Sequence, residues 1–277
     1  MTNVLITGCS SGFGRLTALA LANRGDRVFA TVRTEEAAHT LKADAADLPL
    51  STHILDVTDA ASVDTAVAEV AALGRIDVLV NNAGYALRGP VESLEDAELF
   101  RQFDTNVLGV VRMIRAVVPI MKAQGTGTVI NMSSAVGLLG LPFEGAYSAS
   151  KHAVEGLSES LRLELTDTGV VVVLIEPGAF ETGFVGNTTE SAAFTADHPM
   201  RPALGRFVEL IEGVTEGVGR AHPQAVVDAV VGAIDDPTGP FRRLVGGDAE
   251  YADAIVRRGR FEQYETGVQA VLRAGAN

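Results

Sequence analysis

Tyr147 and Lys151 are the two side chains of this sequence whose types and spacing point most directly to chemistry. A separation of four residues places both on one face of a helix, close enough for an ammonium group to act on a phenol. A free tyrosine has a pKa of about 10, and a neighbouring cation lowers that pKa towards neutrality. The pair therefore predicts general acid–base chemistry with Tyr147 exchanging the proton. The alternative is an ordinary helix-surface tyrosine beside a solvated lysine.

The segments that must position this pair alternate between short apolar runs and longer amphipathic stretches, which is typical of a parallel sheet covered by helices on both faces. The sequence thus predicts an α/β fold of the doubly wound Rossmann type, with a seven-stranded parallel sheet in a single domain spanning residues 1–277. Strands are predicted near 3–7, 27–32, 50–55, 77–81, 127–132, 170–176 and 241–246. Helices are predicted near 12–24, 35–46, 59–72, 95–123, 147–167 and 224–235.

Residues 178–222 interrupt this alternation, since they contain Gly, Thr, Asn, Phe and Pro without clear strand periodicity. An insertion of that length in a compact domain usually serves a function. We expect a lid over the substrate; a peripheral helical insertion is the alternative.

A glycine-rich turn follows the first predicted strand and leads into a helix. Its glycines permit a tight turn and close backbone approach, and the helix N-terminus offers free N–H groups to a pyrophosphate. A glycine-rich turn alone is a weak signal, but its position after the first strand of an alternating α/β pattern strengthens it. The predicted nucleotide-binding residues of the turn are Gly8, Ser10, Ser11, Gly12, Phe13 and Gly14.

Arg33, nineteen residues after Gly14, ends the second predicted strand, where folds of this kind contact the adenosine ribose. A carboxylate there accepts from a 2′-hydroxyl, whereas a guanidinium pairs with a 2′-phosphate. Ser11 adds a hydroxyl donor. We therefore expect NADP(H) in preference to NAD(H). The alternative is an exposed arginine that Glu35 and Glu36 neutralise.

Composition argues against several other classes of protein. The formal charge of −13 does not suit a nucleic-acid or anionic-membrane partner, and the longest apolar run, Val170 to Ile175, is too short to span a bilayer. The single cysteine, Cys9, fits a reducing compartment, and the N-terminus has no signal-peptide pattern, so a cytoplasmic location is expected. The histidines lack metal-ligand spacing, so no metal site is predicted.

Taken together, these motifs resemble the short-chain dehydrogenase/reductase family over nearly the whole chain. The turn at residues 7–14 is similar to the cofactor turn of that family. The resemblance implies a place at the adenine for Asp56 and Val57, and a place beside the cofactor for Asn82, Ala83 and Gly84. It also implies that the loop of Pro177, Gly178 and Thr182 binds the nicotinamide amide.

The resemblance further implies the catalytic set Asn106, Ser134, Tyr147 and Lys151. Lys151 would hold the nicotinamide ribose as well as act on Tyr147, and Ser134 would donate to the substrate oxygen. Asn106 would bend its helix locally and hold a water that links Lys151 to solvent. A closer likeness is to the branch containing estradiol 17β-dehydrogenase type 1 and retinol-type dehydrogenases. Because the C-terminal third resembles that branch less clearly, a steroid or retinoid substrate does not follow.

We therefore expect an oxidoreductase that transfers a hydride between NADP(H) and a small hydrophobic carbonyl or secondary alcohol. The resemblance implies a homodimer or homotetramer. The alternatives are a nucleotide-sensing regulator of the same fold, an epimerase or dehydratase of the same fold, and a methyltransferase. The pocket is predicted to be lined by Val136, Gly137, Leu138, Leu139, Phe143, Tyr85, Phe180 and Phe184.

Overall fold

The computed structural model describes residues 1–180, 188–218, 222–257, 266–267 and 269–271. Its strands are β1 (Asn3–Ile6), β2 (Arg27–Val32), β3 (Leu50–Ile54), β4 (Val78–Asn81), β5 (Ala86–Arg88), β6 (Gly127–Met132), β7 (Val170–Pro177), β8 (Thr188–Glu190) and β9 (Arg242–Val245). Its α-helices are α1 (Gly12–Asn23), α2 (Glu35–Ala45), α3 (Ala60–Leu73), α4 (Asp96–Phe103), α5 (Gly109–Gln124), α6 (Gly145–Glu164), α7 (Arg201–Val218), α8 (Gln224–Asp235) and α9 (Gly247–Arg257).

Seven of these strands form one sheet in the order β3-β2-β1-β4-β6-β7-β9, and every neighbouring pair is parallel. The predicted doubly wound, seven-stranded fold is confirmed. The strand order turns back beside β1, which pairs with both β2 and β4. In such sheets the loops after the two central strands diverge, and a crevice opens at their carboxyl ends. The sheet thus provides the place for a site.

The central strands of the sheet pack against helices on both faces, because alternate side chains point to opposite sides. Val4 and Ile6 pack with side chains of α1 and α8 on one face, and Leu5, between them, packs with α3 and α5 on the other. All three are fully buried. Continuous apolar runs such as Val4-Leu5-Ile6 are therefore explained by a sheet that is covered twice.

The predicted single helix at 95–123 is interrupted in the structure. A π-helical turn, Asp104–Leu108, separates α4 from α5 and contains Asn106. Such turns carry an extra residue per hydrogen-bonded ring and often accompany functional sites. The local distortion that the resemblance implied at Asn106 is therefore present.

The segment at 178–222 contains more regular structure than the sequence suggested. β8 pairs in parallel with β5, and α7 supplies eighteen residues of helix. Arg201 at the start of α7 binds both carboxyl oxygens of Glu190 in β8, at 3.0 and 2.8 Å, and covers the ring of Phe194. Thr182 and Phe184 lie outside the described residues. The closure of this segment over a substrate stays a prediction.

Two negative observations apply to the described ranges. None of the helices there combines the length and apolar character needed to cross a membrane. In those same ranges, three or more His, Cys, Asp or Glu side chains do not come together in a way that could hold a metal ion.

Candidate active site

A cavity of about 1410 Å³ opens at the carboxyl ends of the central strands. Most of the predicted site residues share its wall: Gly8, Ser10, Ser11, Gly12, Phe13, Arg33, Asp56, Val57, Asn82, Ala83, Gly84, Ser134, Tyr147, Lys151, Pro177 and Gly178. Gly14 and Asn106 do not line the cavity, and Thr182 lies outside the described residues. The fold thus brings together segments that are as far apart in sequence as residues 8 and 178.

The glycine-rich turn is held against the loop that follows β4. Asn82 Nδ2 donates to the carbonyl oxygens of Thr7 and Gly8, at 2.9 and 3.0 Å. A Cβ at Gly14 would clash with Asn82 Nδ2 and with the oxygen of Gly8, so this glycine is required for close packing. Gly12 has a φ of +57° and faces open space, since a Cβ at this residue would have no other atom within 4 Å. The turn therefore presents bare backbone to the cavity.

Arg33 and Asp56 lie together on the cavity wall at the ends of β2 and β3. Burial acts to raise the pKa of Asp56, but hydrogen bonds from Thr58 and the charges of Arg33 and Arg112 outweigh it, so that pKa lies below its usual range. Asp56 Oδ1 accepts from Thr58 N at 2.9 Å and from Thr58 Oγ1 at 2.7 Å. Within the described part of the chain, Arg33 forms no ion pair with Glu35 or Glu36. Its guanidinium is therefore available to the cavity.

Tyr147, Lys151 and Ser134 meet on the same wall. Tyr147 and Lys151 are both on α6, with Lys151 Nζ 5.7 Å from the centre of the Tyr147 ring. The Tyr147 and Ser134 side chains are joined by a hydrogen bond. Lys151 Nζ donates to the carbonyl oxygen of Met132 at 2.7 Å, and Ser134 Oγ donates to that of Pro177 at 3.2 Å. The ends of β6 and β7 thus fix both partners of the tyrosine.

The expected lowering of the Tyr147 pKa is not found. Burial and the nearby charge of Glu144 raise the pKa of the phenol above its usual value, and the hydrogen bond with Ser134 only partly opposes them. Burial also lowers the pKa of Lys151 to about 8, although Glu155 acts in the opposite direction. Desolvation is therefore the largest influence on both groups. At neutral pH the phenol is protonated, which is the form of a proton donor.

Asn106 contacts two segments that border the cavity. Its Nδ2 donates to the carbonyl oxygen of Tyr85 at 2.9 Å and to Ser150 Oγ at 3.1 Å, while its Oδ1 accepts from Tyr85 N at 3.1 Å. Ser150 directly precedes Lys151 on α6. The contacts of Asn106 therefore position the loop after β4 against the helix of Tyr147 and Lys151.

The other end of the cavity is mostly apolar. Val136, Leu139 and Tyr85 line it as predicted, whereas Gly137, Leu138 and Phe143 do not line the cavity. Phe180 lines the cavity too, but its ring packs edge-on against that of Phe13 in the glycine-rich turn, with 5.5 Å between ring centres, and so lies at the nucleotide end. Phe143 is instead buried in an aromatic cluster with Phe194, Leu204 and Phe207. The sequence reasoning missed the lining residues Arg88, Leu141, Glu144, Leu204, Phe207, Val208 and Ile211. The signal was available for four of them, because residues 204, 207, 208 and 211 have the spacing of one helix face.

Comparisons with known proteins agree with this geometry. The model of the short chain dehydrogenase family matches residues 2–193. The 3-ketodihydrosphingosine reductase of Bacteroides thetaiotaomicron is 38% identical over 244 residues, which cover 88% of this chain and 87% of that protein. Human 17-beta-hydroxysteroid dehydrogenase type 1 is 39% identical over 253 residues, which cover 87% of this chain and 76% of that protein.

A solved structure is also similar over most of the chain. The short chain dehydrogenase/reductase of Burkholderia phymatum, in complex with NAD, has a TM-score of 0.79 and 28% sequence identity, and the match covers 96% of this chain and 95% of that one. The resemblance to the family, and to the branch with the steroid dehydrogenase, is confirmed. The chain belongs to the short-chain dehydrogenase/reductase family and is a nucleotide-binding oxidoreductase of the Rossmann fold.

Proposed function

We propose that the protein is an NADP-dependent reductase of hydrophobic carbonyl compounds, which also oxidises the corresponding secondary alcohols, with Tyr147 as general acid and base. The observation that carries the proposal is the hydrogen bond between Tyr147 and Ser134 on the wall of a cavity that also contains Lys151 and Arg33. Tyr147, Ser134 and Lys151 offer proton transfer at one end of the cavity, and Arg33 offers anion binding at the other.

The residues present suit a nicotinamide dinucleotide. A side chain at Gly14 would push the turn away from Asn82, and Gly12 faces open space, so the backbone can approach a pyrophosphate closely. The residues that would hold the dinucleotide are Gly8, Ser10, Ser11, Gly12, Phe13, Arg33, Asp56, Val57, Asn82, Ala83, Gly84, Tyr147, Lys151, Pro177 and Gly178. When bound, the dinucleotide supplies or accepts the hydride.

Tyr147 supplies the proton during reduction. Its buried phenol is protonated at neutral pH and can donate to a carbonyl oxygen that gains negative charge. The Ser134 hydroxyl, which donates to the carbonyl oxygen of Pro177 in this structure, would turn to donate its proton to the substrate oxygen and stabilise the developing charge. Lys151, next to the phenol, stabilises the phenolate that remains. In oxidation the step runs in reverse: Tyr147 must first lose its own proton, and the phenolate then accepts the alcohol proton.

The preference for NADP(H) over NAD(H) rests on Arg33. It follows β2 directly, lines the cavity and has no carboxylate partner within ion-pair distance among the described residues. A guanidinium in this state favours a 2′-phosphate, whereas an acidic side chain at the same position would favour a 2′-hydroxyl. Asp56 lies close enough to Arg33 to feel its charge, but it is engaged by Thr58.

A hydrophobic substrate is supported by the wall opposite the nucleotide end. Leu204, Phe207 and Ile211 of α7 line the cavity, and so do Val136 and Leu139 of the loop after β6. Pockets of this composition bind apolar ligands and orient them by a few polar groups. We also propose that residues 178–222 act as a lid, and that the chain assembles as a homodimer or homotetramer.

A nucleotide-sensing regulator remains the second candidate, because it would use the same cavity without turnover. The arrangement of Tyr147, Ser134 and Lys151 favours the enzyme, since a sensor has no need of a proton donor. The test is binding of NADPH and NADH to the purified protein, followed by oxidation of each with a panel of hydrophobic ketones and aldehydes. Preference for NADPH with turnover supports the proposal. Tight binding without any turnover favours the sensor, and failure to bind either nucleotide contradicts both.

A further inference from the structure

A buried acidic cluster lies one helical turn beyond Lys151 on α6, against the loop that follows β6. Glu155 follows Lys151 by one helical turn, and Glu176 is near the end of β7. Glu155 is 6% exposed and Glu176 is 0% exposed. Ionised carboxylates are rarely buried unless they are paired, so two of them at one place require an explanation.

The guanidinium of Arg242 lies within ion-pair distance of three carboxyl groups, those of Glu155, Glu159 and Glu176. Arg242 of β9 donates through Nε to Glu155 Oε2 at 3.1 Å and through a terminal nitrogen to Glu159 Oε1 at 2.7 Å. Its Nε also lies 3.1 Å from Glu176 Oε1, but that N–H is already directed to Glu155. A single positive charge thus faces up to three negative charges, and Asp253 of α9 adds a fourth to the field at Glu176.

Three carboxyl oxygens of this cluster lack a hydrogen-bond partner among the described residues. Among the described residues, neither carboxyl oxygen of Glu176 receives a hydrogen bond, and neither does Glu155 Oε1. A proton on Glu176 would convert one of its oxygens into a donor, with Glu155 as the neighbouring acceptor. Burial and the proximity of Glu155 raise the pKa of Glu176 well above its usual range, which agrees with this arrangement.

The lack of a side chain at Gly137 leaves room for the Glu155 carboxyl group. A Cβ at residue 137 would lie 3.3 Å from Glu155 Oε1 and 2.7 Å from Ser133 Oγ. The loop of Ser134 therefore packs closely over Glu155. The cluster is continuous with the site through this loop and through α6.

We propose that Glu176 holds a proton in a hydrogen bond to Glu155, and that the negative charge of Glu155 keeps Lys151 in its ammonium form within a buried site. Glu155 and Glu176 are then positioning residues that act on Tyr147 through Lys151. The action on Tyr147 rests on the proposed function, whereas the effect of Glu155 on Lys151 does not.

The charged groups that face Lys151 are few. Among the described residues, Glu155 on the same helix is the charge that acts on Lys151. Arg242 on β9 and Asp253 on α9 act on Glu176, and the π-helical turn contributes the uncharged Asn106, which contacts the neighbouring Ser150. Burial lowers the pKa of Lys151 to about 8, and Glu155 is the group that raises it. Loss of the Glu155 charge should therefore favour the neutral amine.

The sequence makes a direct measurement possible, because the chain has only three lysines, Lys42, Lys122 and Lys151. Protein labelled with ¹³Cε-lysine gives three signals, and Lys42→Arg and Lys122→Arg assign two of them without a change at the site. We expect the Lys151 signal to titrate about one pH unit lower in Glu155→Gln than in the natural protein. In Glu176→Gln we expect no such shift, because glutamine replaces a group that is already neutral and can still donate to Glu155.

Glu159→Gln is the matched control, since Glu159 also binds Arg242 but its side chain is 57% exposed. Glu159→Gln should leave the Lys151 titration unchanged, and far-ultraviolet circular dichroism reports whether each variant is folded. An unchanged Lys151 titration in folded Glu155→Gln would overturn the proposal. A fall in Glu176→Gln as large as that in Glu155→Gln would show that Glu176 is ionised, which also overturns it. The titration needs no substrate, so a protein without reductase activity that gives the expected shifts would contradict the proposed function alone.

Discussion

Asn106 binds both backbone hydrogen-bonding groups of Tyr85. Its Oδ1 accepts from Tyr85 N at 3.1 Å and its Nδ2 donates to Tyr85 O at 2.9 Å, an arrangement similar to the pairing of neighbouring strands. The same Nδ2 reaches Ser150 Oγ on α6. The π-helical turn thus connects the loop after β4 to the helix that contains Tyr147 and Lys151.

Asn106→Ala should reduce the free energy of unfolding by about 1–3 kcal/mol, because a buried amide proton of Tyr85 loses its acceptor. Denaturant unfolding measures the change. Asn23→Ala, on the exposed end of α1, is the control and should stay within about 0.5 kcal/mol of the natural protein. Equal stabilities of the two variants would contradict the positioning role.

Tyr147→Phe should lower kcat/KM for carbonyl reduction by about 100- to 10,000-fold, because it removes the proton donor and keeps the ring. Nucleotide binding, measured by fluorescence titration, should remain nearly unchanged. Tyr251→Phe removes a hydroxyl from a half-exposed residue of α9 that also lines the cavity, and so shows whether the loss of any hydroxyl from the wall has the same effect. Substantial reduction by Tyr147→Phe would mean that another group donates the proton.

Arg33→Asp should weaken NADPH binding by about 10- to 100-fold, because it removes a charge-assisted contact to a 2′-phosphate. NADH binding should change much less, since that nucleotide has no phosphate there. Isothermal titration with both nucleotides measures the two effects. Arg75→Asp makes the same change of charge at the amino end of the sheet and should affect neither affinity. An equal loss of affinity for NADPH and NADH would contradict a contact between Arg33 and the 2′-phosphate.

Glu176→Gln should change how stability depends on pH. The folded protein holds a proton on Glu176 between the ordinary pKa of 4.5 and the raised value of about 8, whereas the unfolded chain releases it. Stability from this group is therefore complete below pH 4.5 and is lost as the pH rises through 8. Because glutamine does not titrate, we expect the Tm of the variant relative to the natural protein to rise by of the order of 5 °C between pH 5 and pH 8.

Lys151 opposes this trend above pH 8, but it is present in both proteins and its contribution largely cancels in the comparison. Glu159→Gln should follow the natural protein at every pH. Parallel Tm curves for Glu176→Gln and the natural protein would show that Glu176 titrates as an ordinary carboxyl group.

The sheet, and the meeting of most predicted site residues at one cavity, could be predicted from the sequence because strand patterns and topology are local. Apolar runs such as Val4-Leu5-Ile6 define buried strands, and parallel strands bring their carboxyl ends to one edge. The wall that combines Gly12, Arg33 and Tyr147 follows from the topology once the strands are in order. For this reason the cavity contains nearly all of the predicted site residues.

Other features depend on tertiary contacts that no local pattern expresses. β5 and β8 have three residues each and form only because they pair across about a hundred residues of chain. The raised pKa of Tyr147 depends on how completely the phenol is buried and on Glu144, three residues earlier. The Glu155 and Glu176 pair likewise becomes visible only when α6, β7 and β9 are packed together.

The aromatic cluster of Phe143, Phe194, Leu204 and Phe207 shares no buried member with the two clusters that pack on the sheet. Substitutions there change the outline of the substrate end and leave the strand ladder and the glycine-rich turn intact. Selection for a new substrate can therefore act on this cluster without a compensating change in the nucleotide-binding half. The proposed catalytic set and the proposed substrate end would then vary separately in evolution.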